Sequence, residues 1–147
     1  MRSATVALLL VGALAMAFVA CAATPHTATN PNKDNEITAL WAQIRDWRRE
    51  AHMQLDPTRS DVFQWDSHTV QEAARVCRDN HPVPRTCNDV CSLSDNICDN
   101  AEAICGIAAE LGPGDDYAAQ KCASAKASCR EAKQQCCKCA DRDDQTP

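Results

Sequence analysis

Two stretches decide how this chain folds: Cys87-Asn-Asp-Val-Cys91-Ser-Leu-Ser-Asp-Asn-Ile-Cys98-Asp-Asn-Ala-Glu-Ala-Ile-Cys105 and Cys122-Ala-Ser-Ala-Lys-Ala-Ser-Cys129-Arg-Glu-Ala-Lys-Gln-Gln-Cys136-Cys137-Lys-Cys139. Cys91, Cys98 and Cys105 are seven residues apart, and so are Cys122, Cys129 and Cys136. Seven residues are nearly two turns of α-helix, so each triplet forms a stripe on one helix face, with a cysteine about every 10.5 Å. Between the stripes stands Gly112-Pro113-Gly114, a helix stop built from glycine at the left-handed C-terminal position and a proline after it. A helix N-capped by Thr86 and running to Leu111 would fold back there on a second, from Asp115 or Asp116 to about Cys139. The stripes then meet in antiparallel order, Cys105 with Cys122, Cys98 with Cys129 and Cys91 with Cys136. The residue numbers of each pair add to the same total, as a hairpin with one fixed turn requires.

Disulfides hold Cα atoms roughly 4.4–6.8 Å apart, closer than ordinary helix packing. Ala118, Ala119, Ala125 and Ala132 on the second helix permit that approach and favour helix. Val90, Ile97, Ala101, Ile104, Ala108 and Leu111 complete the inward face of the first. Charge agrees: Asp89, Asp95, Asp99, Glu102 and Glu110 on the first helix face Lys121, Lys126, Arg130, Lys133 and Lys138 on the second, against Asp115, Asp116 and Glu131. Four cysteines remain. Cys87 and Cys139 extend the two stripes by a turn and pair as Cys87-Cys139; Cys77-Cys137 would then clip a preceding helix onto the hairpin. The swapped pairing of these four fits nearly as well. Ten of the eleven cysteines thus make five bonds, with none left odd.

A competing use of such stripes, and of Cys136-Cys137-Lys138-Cys139, is binding of soft copper or zinc ions. Cysteine-lined helical copper-storage proteins look like this chain in size and export, but their cysteines are mostly one turn apart, not two. Lys138 could also lower a thiol pKa between Cys136 and Cys139 and support thiol-redox chemistry. An exported chain with an even count is more often oxidised, so disulfides are the expectation and no metal is expected.

Outward from the hairpin, residues 36 to about 54 read as an amphipathic helix with Asp34 or Asn35 as N-cap. Ile37, Leu40, Trp41, Ile44, Trp47 and Ala51 form its inner face, and Arg45, Arg48 and Arg49 lie outside among Asp46 and Glu50. Asp56-Pro57 ends it. Residues 58–66 read as a loop whose Val62, Phe63 and Trp65 pack back. Residues 67–77 read as a short helix, with Thr69 and Glu72 at capping-box spacing. His81-Pro82-Val83-Pro84 is a boundary.

The N-terminal end states where the chain goes. Arg2 precedes an apolar run from Val6 to Ala20 of about 15 residues, a secretory signal rather than a span, which needs roughly 20. Phe18-Val19-Ala20-Cys21 follows the pattern of a bacterial lipobox, with phenylalanine where leucine is usual. Cys21 is then the lipid attachment site, carrying diacylglycerol and an acyl chain that together give stable anchoring. Ala22 in place of aspartate favours the outer membrane. The expected organisation is 1–20 signal peptide, 21–34 lipid-anchored flexible tether, 35–140 disulfide-rich helical domain and 141–147 polar tail.

The 147-residue chain carries 15 Lys and Arg against 20 Asp and Glu, a formal net charge of −5. It has no basic stripe, so nucleic acid is a poor partner. Three Trp, two Phe and one Tyr leave a thin core, which a small exported domain supplements with staples. The histidines, His26, His52, His68 and His81, are scattered without metal-ligand spacing, and no nucleophile elbow, phosphate loop or zinc-protease motif occurs. The Asp95-Asn96 and Asp99-Asn100 face lacks a glycine-turned calcium loop. No enzyme, cofactor or catalytic residue is expected.

Taken together, the lipobox, the Pro/Thr tether, the Trp helix and the two cysteine-striped segments resemble uncharacterised cysteine-rich lipoproteins of predatory gliding bacteria. The resemblance implies placement in the cell envelope and no activity. The expectation is an all-α fold, an antiparallel disulfide-stapled hairpin with one long and one short additional helix. It would be held to the membrane by its N-terminal lipid and meet an envelope protein partner, with no oligomeric state specified.

Overall fold

The computed structural model describes residues 30–76 and 83–143. The described residues are all-α: α1 (Pro31–Glu50), α2 (Arg59–Trp65), α3 (Val70–Ala74), α4 (Asn88–Leu111) and α5 (Asp116–Asp143), with a 3₁₀ turn at Arg85–Cys87 before α4.

α4 and α5 form the antiparallel hairpin. Gly112 closes α4 with φ 84°, and its N–H donates to the Ala108 carbonyl at 3.0 Å. A Cβ there would meet no neighbour, so backbone conformation alone calls for glycine. Asp115 opens α5, its carboxylate accepting from the Ala118 N–H at 2.9 Å. Ala118, Ala125 and Ala132, all buried on α5, lie among Ile97, Ala101, Ile104 and Ile107 of α4. Ile107 is a core residue that the cysteine register did not include. Ordinary interaxial packing distances are 8–10 Å; alanine on the inner faces lets the backbones come close enough for sulfur bridges.

α1 lies across the hairpin and buries Ile37, Trp41 and Ile44 against α4 and α5. Asn100 of α4 donates to the Leu40 carbonyl and the Gln43 side chain, and Thr38 shares a hydrogen bond with the Tyr117 hydroxyl at 2.7 Å. An ion pair joins Lys33 to Glu110.

The helix starts and ends elsewhere than expected. Asn30, not Asp34 or Asn35, is the N-cap, accepting from the Asn32 N–H. Pro31 takes the first helical position, where a missing N–H costs nothing. α1 therefore begins within the stretch read as tether, 21–34. At the other end the helix stops at Glu50, not near Gln54, because His52 adopts φ 56°. The His52 N–H then reaches the Arg49 carbonyl at 3.1 Å and the Met53 N–H the Arg48 carbonyl at 2.8 Å. This is a Schellman ending with histidine in the glycine position.

The stretch 58–66, read as a loop, holds α2. Thr58 accepts from the Asp61 N–H and so caps a helix of about two turns. Val62 and Trp65 are partly buried, but Phe63 points outward and is 85 % exposed, so only two of the three expected side chains pack back. α3 has the expected capping box: the Thr69 hydroxyl accepts from the Glu72 N–H, and the Glu72 carboxylate from the Thr69 N–H. Thr86 does not cap α4; it sits in the 3₁₀ turn, which hands the chain directly into the helix at Asn88. α5 continues to Asp143, past the domain end expected at 140.

Candidate functional site

Four disulfides cross the hairpin seam. Cys105 joins Cys122, Cys98 joins Cys129, Cys91 joins Cys136 and Cys87 joins Cys139, with Cα separations of 4.7, 4.6, 4.7 and 5.8 Å. The first three pairs share one total of residue numbers. The fourth is one short of it, because the 3₁₀ turn at Arg85–Cys87 shifts the stripe, and its Cα distance is the widest. Cys137 is also disulfide-bonded. Cys77, expected as its partner, lies outside the described residues, as do Cys21, the 1–20 leader, His26 and His81. Cys136, Cys137 and Cys139 are therefore all oxidised.

The rungs do different work along the seam. Cys98–Cys129 is embedded in the main core with Ile97, Ala101, Ile104 and Ala125. Cys87, Cys91 and Cys136 form a second cluster, with Val90 and Cys139 beside it. At that end sulfur is itself the core, which fits a chain with little bulky apolar material.

Among the described residues, the charge pairing expected between α4 and α5 reduces to the contact of Lys133 with Asp95. Three other α5 cations, Lys121, Lys126 and Arg130, meet α1 or the segments around α2 and α3. Lys121 lies 5.0 Å from the Trp41 ring centroid, and Arg130 lies 4.8 Å from that of Trp65 while donating to the Arg75 carbonyl. Lys126 is buried and donates to the Asp66 carbonyl; burial holds its pKa down, against the opposing pull of Asp66.

Arg48 is the largest departure from the sequence reading. Its charge predicts the outer face of α1, but it is fully buried. Its Nε donates to the Gln54 carbonyl and its Nη2 to Glu131 of α5, both at 2.7 Å. Burial raises the Glu131 pKa; Arg48 opposes this, and Asp61, hydrogen-bonded to the same carboxyl, adds to the rise. The signal was in the sequence: Ile37, Trp41, Ile44 and Arg48 are spaced on one stripe, and the polarity of arginine outweighed its register.

Of the described histidines, His52 ends α1 and His68 stands 3.6 Å from Glu72. Among the described residues no three His, Cys, Asp or Glu side chains converge as a metal site, and no helix is long and apolar enough to cross a membrane. The concave features are shallow. A cleft of about 270 Å³ beside α3 has Cys105, Cys122, Lys126, His68 and Glu102 in its wall. A groove of about 470 Å³ between α2 and α5 is edged by Phe63, Arg59 and Asp66.

No family model, curated protein or solved structure matches the chain. Its bonded cysteines point to an oxidising environment, extracellular or periplasmic.

Proposed function

We propose that this protein is a cell-envelope lipoprotein, anchored through Cys21 and presenting a disulfide-stapled helical hairpin, with a structural or protein-contact role and no catalysis. One observation carries this reading: every described cysteine is spent on a disulfide, so the stripes that could have held soft metal ions act as covalent rungs. The lipobox at Phe18-Val19-Ala20-Cys21 supplies the anchor, and Ala22 directs the chain to the outer membrane. An envelope protein is the partner this role requires.

The test is the intact mass of natively purified protein, alkylated before and after reduction. No alkylation before reduction and ten alkylated sites after it, on a chain starting at an acylated Cys21, supports the proposal. Several cysteines alkylating without reduction, or copper or zinc mass carried with the protein, would replace it with soft-metal binding.

A further inference from the structure

The four rungs differ in what surrounds their sulfur atoms. Cys87 and Cys129 are fully buried, and Cys91, Cys136 and Cys98 are 6 %, 6 % and 7 % exposed. Every rung but one therefore has at least one buried cysteine. The exception is Cys105–Cys122, in which both residues are half-buried and both form part of the wall of the cleft beside α3.

Three properties of that rung bear on thiol exchange. Exchange requires a thiolate to approach one sulfur in line with the bond, and it runs faster when the departing sulfur is stabilised as an anion. The cleft gives the approach. Lys126 stands one helical turn beyond Cys122 on the same face of α5 and lines the same cleft, its ammonium donating to the Asp66 carbonyl, so it sets a positive charge in the cleft wall that favours Cys122 as the departing sulfur. The other titratable groups at the cleft also have partners: His68 stands 3.6 Å from Glu72, and Glu102 accepts from the Gln71 amide at 3.0 Å. The rung also closes the shortest loop, 17 residues against 31, 45 and 52 for the others. With it open, Cys98–Cys129 still holds the hairpin shut.

We propose that Cys105–Cys122 is a thiol-exchange site, the point at which a small thiol or a dithiol reductant of the envelope opens the ladder without unfolding the domain. A thiolate attacks the Cys105 sulfur, the bond to Cys122 breaks, and Cys122 leaves with the electron pair as a thiolate in the cleft that Lys126 lines. A second thiolate attacks the mixed disulfide and releases Cys105. Two thiols are oxidised to one disulfide, and the two cysteines are reduced and take their protons from water. The site does not depend on the lipid anchor and holds for the soluble domain as well.

The experiment treats the oxidised protein with graded reduced glutathione, traps thiols with N-ethylmaleimide and maps them by peptide mass spectrometry. Cys105 and Cys122 should be labelled together, at least about tenfold faster than any other rung, while circular dichroism stays unchanged. Lys126→Gln should slow that labelling about threefold or more, and Lys126→Arg should restore it, which separates charge from packing. Simultaneous labelling of all four rungs, or any of the other three opening first, overturns the proposal. So does a Cys105–Cys122 bond that survives until the helical signal is lost.

Discussion

Removing either member of the Arg48–Glu131 pair should cost far more than removing both. Arg48 is fully buried, and the Glu131 side chain retains 25 % exposure. Truncating one partner of a buried pair typically costs 3–5 kcal/mol, because the survivor keeps its charge and loses its compensation. Here Arg48 would keep its bond to the Gln54 carbonyl, and water can reach the vacated Glu131 position. The lower end applies, and Glu131→Ala should cost about 2–3 kcal/mol. Arg48→Met combined with Glu131→Leu removes both charges and fills the space with apolar atoms, and should lie within about 1 kcal/mol of the parent. The assay is urea unfolding of the oxidised protein, with the slope held constant across the four corners of the cycle. The pH dependence is a second check. The folded pKa of Glu131 is raised, chiefly by burial, so its contribution is full below the unfolded value of about 4.5 and is lost as pH rises through the folded value. Glu131→Gln, which keeps an acceptor for Arg48, should match the parent in acid and gain on it toward neutral pH. A Glu131→Ala cost under about 1 kcal/mol, or a double variant as unstable as the two single costs added, would refute the reasoning.

Four further outcomes follow. His52→Gly should stabilise by about 0.5 kcal/mol, since relief of the left-handed backbone exceeds the entropy glycine adds to the unfolded chain, whereas His52→Val should cost about 1–2 kcal/mol in the same unfolding assay. Thr69→Ala should cost about 1 kcal/mol by loss of the α3 cap. The Glu72 pKa is lowered, first by the Thr69 N–H, so the parent should lose this contribution as pH falls through the folded value of Glu72, and thermal melts of Glu72→Gln should lack that loss. Replacing Cys98 and Cys129 together by alanine should cost about 3 kcal/mol: the rungs on either side already confine the chain, so the entropy released is that of a loop much shorter than the 31 residues between them.

The hairpin was legible because its signal is redundant. Seven-residue spacing, one glycine-proline turn and alanine between the sulfurs all specify the same register, so an error in any one would have been exposed by the others. The parts that were not legible depend on single choices between near-equal local options. Asn30 and Asp34 can both cap a helix, and Pro31 decides for the earlier one by being favourable only at a first turn. Thr58 to Asp66 offers one capping threonine and too few residues to show a period, so α2 could not be told from a loop. The outward turn of Phe63 follows from where α2 docks on α5, which nothing local records. Arg48 is the instructive case. Its register placed it inside and its chemistry placed it outside, and the decision rested with Glu131, a residue 83 positions away whose carboxylate makes burial tolerable.

The same partition explains why the seam is uneven. Near the turn, α1 and α3 bring Trp41, Ile44 and Val70 to the hairpin, and hydrophobic burial shares the load with sulfur. At the far end, around Cys87, Cys91 and Cys136, the apolar cluster is made almost wholly of the bridges. Reduction there removes the core along with the constraint, whereas reduction of Cys105–Cys122 leaves Ile104, Ile107 and Ala118 packed. A ladder built this way can yield at the rung where the fold no longer depends on it, and full reduction should unfold the end at Cys87 before the end at the Gly112 turn. Hydrogen exchange of the reduced protein reads this directly: amides of residues 88–95 should lose protection ahead of those at 100–108, and the reverse order would show that packing, not sulfur, holds the far end.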